Sequence, residues 1–334
     1  MRIGLAVYGT TFSMGLHSAS GLHHSPNAAR RPTINVQQLM DQALAAHVQG
    51  VEIPVSLVEG EDIPSVARAA RQRGLFITLA TSGYTAGPLR ESILLGAQLE
   101  AETVRTVVGG AKIGGDRSPL AGRWQPFLQD VLTHLKEATA SAEKAGVNLA
   151  VENHQDLASE ELLWLCESIG STRFGITLDT GNPLATAEEP LDYFRRVAPY
   201  VKNVHLKDYC LYLSEEGYRL VRCPLGQGVI DFPALFKILA KSCPKVTMSI
   251  ELGALEARHV RVLADDYWPD YPPRSAAQLA RVVRFVQANA KPAGDWRTPF
   301  ERGESAEDII AYEQQQLAAS LAYLNYVQAL KITM

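Results

Sequence analysis

From residue 2 to about residue 290, short apolar runs rich in β-branched residues alternate with segments whose apolar positions recur at helical spacing. A period that switches repeatedly between 2 and 3.6 marks successive βα units around a parallel sheet. The runs at 2–8, 51–55, 75–81, 103–109, 147–153, 174–180, 201–208 and 245–252 read as strands. The segments at 36–48, 63–73, 88–101, 124–145, 159–169, 190–198, 232–242 and 276–290 read as helices. Gly74 after ARAARQR and Gly146 after ASAEKA supply helix stops. Eight such pairs predict an α/β fold of the closed (β/α)8 TIM barrel type. An open doubly wound sheet would be expected to carry a Gly-rich fingerprint after its first strand, and residues 9–15 hold no G-x-G-x-x-G.

Three inserts interrupt the rhythm, and each follows a strand, on the face where barrel loops carry chemistry. Residues 9–34 contain His17, His23 and His24. Residues 109–123 are rich in glycine and read as mobile. Residues 209–228 alternate like a hairpin around Glu216-Gly217. All three are lid candidates, the first and second with ordinary surface loops as the equal alternative. Beyond residue 290 the composition shifts to KPAGDWRTPFERGE, a linker, and then to a helical segment in which Ser305 and Asp308 fit a start and Ile310, Leu317, Leu321 and Leu324 form an apolar stripe. The expected organisation is a barrel domain over 1–290, with a linker and C-terminal helical extension over 291–334. That helix would pack on the barrel or on a second subunit.

Composition narrows the function classes. With 46% apolar and 20% charged residues in 334, the chain can bury a barrel-sized core. A net charge of -4 and no Lys/Arg block longer than a pair argue against a nucleic-acid partner. No run of about 18 apolar residues predicts a membrane span. The amino terminus enters a strand directly without an export signal, and the four cysteines show no C-x-x-C spacing, so the expected compartment is the reducing cytoplasm.

The chemistry sits at four strand ends. VNLAVEN, FGITLDT, VKNVHLKD and VTMSIEL place Glu152, Asp179, His205 and Glu251 near the C-terminal ends of successive strands, which converge on one mouth in a parallel barrel. Three carboxylates and an imidazole brought together repel one another unless they hold a divalent cation of intermediate hardness. The alternative is a set of buried carboxylates tied to barrel arginines or lysines. His154 lies two residues past Glu152 and points to the same side if the strand continues, as a base or as an orienting histidine. Lys207 stands in the same relation to His205 and suits a substrate oxygen or a ligand carboxylate, with an ordinary surface lysine as the alternative. Asn182 and Gln227 are further candidates for substrate contact. Trp164, in ELLWLC, reads as a core residue.

The segments AVENH, ITLDTGN, KNVHLKD, GQGVIDF and SIELG resemble the sugar phosphate isomerase/epimerase family of xylose isomerase-like barrels, also grouped with AP endonuclease family 2. The resemblance spans most of residues 2–290. It implies one divalent ion, manganese foremost and magnesium, cobalt or zinc otherwise, held by Glu152, Asp179, His205 and Glu251, with both glutamates flanking a small carbohydrate substrate. Endonuclease IV barrels are more distant, and the extra His and Asp ligands of their trinuclear zinc site are not evident here. Ketose epimerases of the family place a His three residues after the metal Asp and an Arg six after the metal His; this chain has Asn182 and Leu211 there. The Glu152-x-His154 pair is similar to members that deglycosylate 3-oxo-glycosides, where the His acts as base.

Two enzyme classes follow. An isomerase or epimerase would remove a proton next to a sugar carbonyl through Glu152, Glu251 or His154, leaving a metal-stabilised enediolate. A lyase would eliminate the aglycone of a 3-oxo-glycoside, with a partner subunit over the mouth. A sugar-binding barrel without turnover is the non-enzyme alternative, and it has no need of a cation cage.

Overall fold

Barrel strands buried on both faces read as continuous apolar runs, and here they close into a parallel cylinder. The computed structural model describes residues 1–16, 34–253 and 255–329. The first seven barrel strands are β1 (Arg2–Ala6), β2 (Gly50–Pro54), β3 (Phe76–Ala80), β4 (Thr103–Thr106), β5 (Asn148–Glu152), β6 (Phe174–Asp179) and β7 (Val201–Leu206). An antiparallel hairpin, β8 (Asp208–Ser214) and β9 (Gly217–Cys223), follows them. Then β10 (Thr247–Ile250) pairs with both β7 and β1 and completes the eight-stranded ring. A short β11 (Arg258–Val260) adds to β9, making a three-stranded sheet beside the barrel.

The helices Trp124–Ala145, Ser159–Ile169 and Phe232–Ser242 fall on their predicted bounds. Gly146 and Gly170 end the first two in the left-handed conformation that glycine reaches without strain. Strand ends differ more. β1 stops at Ala6 because the chain winds into a 3-10 turn over Val7–Gly9. β7 stops at Leu206 because Asp208 redirects the chain: its carboxylate accepts from the amides of Tyr209, Gly226, Gly228 and Ile230. A Cβ on Gly228 would lie 2.2 Å from that carboxylate, so the Gly-Gln-Gly turn needs glycine there. The hairpin turns at Glu215-Glu216, one residue before the expected centre, since Ser214 pairs with Gly217. The third strand of this sheet, β11, arises from an insert after β10 that the alternation of apolar runs did not reveal.

His17, His23 and His24 lie outside the described residues. Residues 109–123, expected as a mobile lid, are anchored. Gly109 donates to Asp156 and Gly114 to Gln155. Arg117 pairs with both oxygens of Glu161 at 2.9 and 2.6 Å, between the rings of Trp124 and Tyr271 at 4.0 and 3.8 Å. Tyr271 in turn donates to Gly115 O at 2.6 Å and stacks on Tyr267. The helix Ala306–Ala329 packs on its own barrel: Glu313 accepts from the amides of Phe12 and Ser13, Ser320 accepts from Leu225 N, and Leu324 and Val327 are buried. Among the described residues no helix is long and apolar enough to cross a membrane.

Replacing Arg117 with Ala would leave the Glu161 charge buried without its partner. The expected cost is about 3–5 kcal/mol in denaturant unfolding, with faster hydrogen exchange across 109–123. Unchanged stability would show that the ion pair does not hold the insert.

Candidate metal centre

Glu152 ends β5, Asp179 ends β6, His205 is the penultimate residue of β7 and Glu251 follows β10 directly. One ligand atom from each lies within 4.8 Å of all the others, and all four residues are buried. The barrel therefore brings together the whole predicted ligand set.

Each side chain is oriented by a neighbour. Asp179 Oδ1 accepts from the amides of Gly181 and Asn182, and Oδ2 is left to face Lys207 Nζ at 2.5 Å. Lys207 Nζ also lies 3.1 Å from Glu251 Oε2. Far from being a surface residue, Lys207 is 2% exposed and binds ligand carboxylates. His205 Nε2 is 2.6 Å from Glu52 Oε2, whose other oxygen accepts from Arg105 Nε at 3.0 Å. Arg105 Nη1 reaches Glu152 Oε2 at 3.3 Å.

With Nε2 tied to Glu52, His205 turns Nδ1 toward the carboxylates, 2.9 Å from Glu251 Oε2 and 3.5 Å from Glu152 Oε2. Neither approach is aligned as a hydrogen bond, and both oxygens of Glu152, Nδ1 of His205 and Oε2 of Glu251 have no hydrogen-bond partner. Buried polar atoms are ordinarily paired. Adjacent ligands of one ion at ~2.1 Å stand about 3 Å apart, so these spacings suit a shared cation. The carboxylate behind His205 is the support that metal-binding imidazoles ordinarily have. The four residues could hold a divalent ion.

The charges match that use. Burial raises the Glu152 carboxyl, but Arg105 and His205 outweigh it and bring it down to about 2. Burial acts likewise on Glu251, and Lys207 and His205 hold it well below the usual carboxylate range. For His205 burial favours the neutral ring, yet Glu52, Glu152 and Glu251 keep its proton on well above the ordinary value.

Above the centre opens a cavity of about 610 Å3 lined by Glu152, Glu251, His154, Arg105, Tyr8, Arg222 and Arg258 among others. His154 is exposed and also lines this cavity, although β5 ends at Glu152 and the strand does not continue to it. Asn182 and Gln227 are not among the lining residues. Asn182 is buried, accepting from Gln155 Nε2 at 3.0 Å, because the turn after β6 folds it under the loop. Gln227 is exposed at the turn that Asp208 organises. Sequence reasoning passed over Glu52 and Arg105 because they sit inside strands rather than at their ends. A charged residue within VEIPV and within TVRTVV was the available signal.

The model of the xylose isomerase-like TIM barrel family matches residues 40–266. The 3-oxo-isoapionate decarboxylase of Pectobacterium atrosepticum is 24% identical over 194 residues, 56% of this chain and 66% of that protein. The matches to the first two curated relatives span 66% and 60% of their lengths. Among solved structures, an L-ribulose 3-epimerase superposes with a TM-score of 0.55 at 16% identity, covering 98% of this chain and 97% of that one. The IOLI protein with a bound zinc atom gives 0.54 at 14% identity, covering 86% and 99%. At such identities these two structures show the shared fold.

Glu52, Glu152 and Glu251 hold the proton of His205 on above its ordinary value, and coordination of an ion through Nδ1 would have to displace it. Because the proton is held above the ordinary value, apparent affinity rises with pH until His205 titrates in the free protein. Calorimetric titration with Mn2+ near pH 7, in buffers of different ionisation enthalpy, is expected to show proton release and tighter binding as pH rises. A pH-independent affinity would remove His205 from the ligand set.

Proposed function

The chain belongs to the xylose isomerase-like TIM barrel family, and on that premise we propose a metal-dependent carbohydrate enzyme of the isomerase/epimerase type that takes a proton from the carbon next to a sugar carbonyl. The observation that carries this reading is the pair of buried carboxylates, Glu152 and Glu251, opening into one cavity with oxygens that no hydrogen bond satisfies. Glu152, Asp179, His205 and Glu251 would hold the ion, and three carboxylates with one imidazole suit manganese, with magnesium, cobalt or zinc as the other candidates. A divalent ion bound there supplies Lewis-acid stabilisation of the charge that develops on the carbonyl oxygen.

The protein's own groups do the rest. Arg105 and Lys207 keep Glu152 and Glu251 ionised, so either can face the substrate carbon without carrying a proton of its own. The Arg105 guanidinium lies 5.1 Å from the ring centre of Tyr8, whose part-exposed hydroxyl, shifted further up from its ordinary range by burial, is a donor at the mouth. His154 makes no hydrogen bond or ion pair among the described residues and stands free to accept or return a proton.

A second reading, a lyase acting on a 3-oxo sugar derivative, is favoured by that same free His154, which provides one base on one side. It is also favoured by Leu211, buried where ketose epimerases of the family have an arginine, and by the relative that decarboxylates 3-oxo-isoapionate. The two readings share proton or charge chemistry beside a carbonyl and differ in what leaves.

Incubation of the manganese-loaded protein with ketoses and with 3-oxo-glycosides in deuterated water separates them. Deuterium incorporation at carbon without cleavage supports the first reading, and release of an aglycone or of carbon dioxide supports the second. Glu152→Gln is expected to lower kcat by about a hundredfold or more on whichever substrate turns over. Full turnover by that variant would refute the role given to the glutamate.

A further inference from the structure

We infer that Arg222 and Arg258 form an anion subsite at the barrel mouth, one that takes a carboxylate or phosphate borne by the sugar. The inference deepens the reading above, on which it rests for the sugar itself.

Arg222 lies near the end of β9 and Arg258 opens β11. Arg258 pairs in register with Leu220, two residues before Arg222. Cross-strand partners share a face, and so do residues two apart on one strand, so both arginines leave the same face of the small sheet. Both line the cavity that Glu152, Glu251 and His154 also line.

Their partners do not account for them. Arg222 and Arg258 are 8% and 5% exposed, yet Nε and Nη1 of Arg222 and Nε of Arg258 have no hydrogen-bond partner. Leaving charged donors unmet in a buried site is expensive. The other cations of the mouth are matched: Arg105 by Glu52 and Glu152, Lys207 by Asp179 and Glu251. Arg222 has no carboxylate within ion-pair distance among the described residues, and Arg258 has only Glu256, at 2.8 Å. Residues 17–33, 254 and 330–334, which lie outside the described ones, contain no Asp or Glu. Burial and the Arg222 charge push the Arg258 guanidinium below its ordinary range despite Glu256, while for Arg222 burial is outweighed by Tyr209 and the more distant Glu251, which raise it.

The chain also makes room for them. A Cβ on Gly253, two residues past Glu251, would lie 2.6 Å from Arg222 Nη1. Two guanidinium forks converging on one cavity match the oxygens of a carboxylate or phosphate, whereas a neutral polyol could accept hydrogen bonds but not balance the charge.

The test is calorimetric binding to the metal-free protein at low salt of D-ribonate, D-ribose 5-phosphate and ribitol. At least one of the two anions is expected to bind, and ribitol to bind about tenfold or more weaker than it. The tighter anion identifies the source of the charge. Arg222→Gln and Arg258→Gln are each expected to weaken that anion about tenfold or more, with Tm unchanged or raised, since neither loses a partner on which the fold relies. Arg222→Lys keeps the charge without the fork and should fall between wild type and Arg222→Gln. Equal binding of ribitol and the anions would overturn the proposal, as would wild-type anion affinity in both glutamine variants or a marked fall in their Tm. Because no metal and no turnover enter the measurement, loss of deuterium exchange in the catalytic assay leaves this result standing, and the reverse also holds.

Discussion

Closing eight parallel strands into a ring forces Glu152, Asp179 and Glu251 into one small volume, and everything around them answers that repulsion. Arg105 reaches up from inside β4, Lys207 comes from just past β7, and His205 stands between them with Glu52 behind it. Each of these cations touches only part of the set. Arg105 serves Glu52 and Glu152, and Lys207 serves Asp179 and Glu251, so neither fills the centre, and both oxygens of Glu152 and Nδ1 of His205 have charged neighbours but no hydrogen bond. A purely structural network would have satisfied those atoms, since a half-satisfied buried network costs more than an apolar core.

The walls of the mouth are built with the opposite economy. The insert 109–123, the turn after β9 and the start of the insert after β1 are each fixed by a buried carboxylate whose oxygens are taken up: Glu161 by Arg117, Trp124 and Ala158; Asp208 by four amides; Glu313 by Phe12 and Ser13. Glycine-rich loops are ordinarily mobile, but these glycines serve as donors and as clearances for the groups that pin them. Among the described residues the result is a rim pinned by hydrogen bonds around a centre whose atoms are not all satisfied, an arrangement suited to holding side chains in place before a ligand arrives.

How far the chain could be read without coordinates follows from the same physics. The barrel was legible because buried strands and amphipathic helices impose two distinct periods, and the helix Trp124–Ala145 even ended where Gly146 said it would. The four candidate ligands were legible because a charged residue at the end of an apolar run needs a reason. Glu52 and Arg105 carried an equally strong signal inside their strands, but their meaning depends on each other and on His205, residues about 50 to 150 positions apart, and no local pattern reveals such a pairing. The small sheet was half legible. Its hairpin follows from alternation, while β11 spans only Arg258–Val260 and owes its place to pairing with β9. Asn182 was misplaced for a related reason. A turn after a strand points its side chains by loop geometry, and here the Asp179 carboxylate fixes that turn by accepting from the amides of Gly181 and Asn182.

Two arginines at equal depth make the division between fold and function concrete. Arg117 is 3% exposed and meets both oxygens of Glu161, two backbone carbonyls and two aromatic rings. Arg222 is 8% exposed and has no carboxylate within ion-pair distance among the described residues. Burial energetics treats these guanidinium groups alike, so their different surroundings cannot come from a need of the folded chain as such. Among the described residues, the charged groups around this cavity keep several atoms without hydrogen-bond partners, so part of the stability there depends on whatever enters. The unsatisfied atoms at this mouth are of both signs: carboxylate oxygens and an imidazole nitrogen at the bottom, guanidinium nitrogens at the side. A single neutral molecule could not complete both sets. A cation below and an anionic group beside it could, and the two sets across one cavity would then set which end of a bound ligand faces the glutamates.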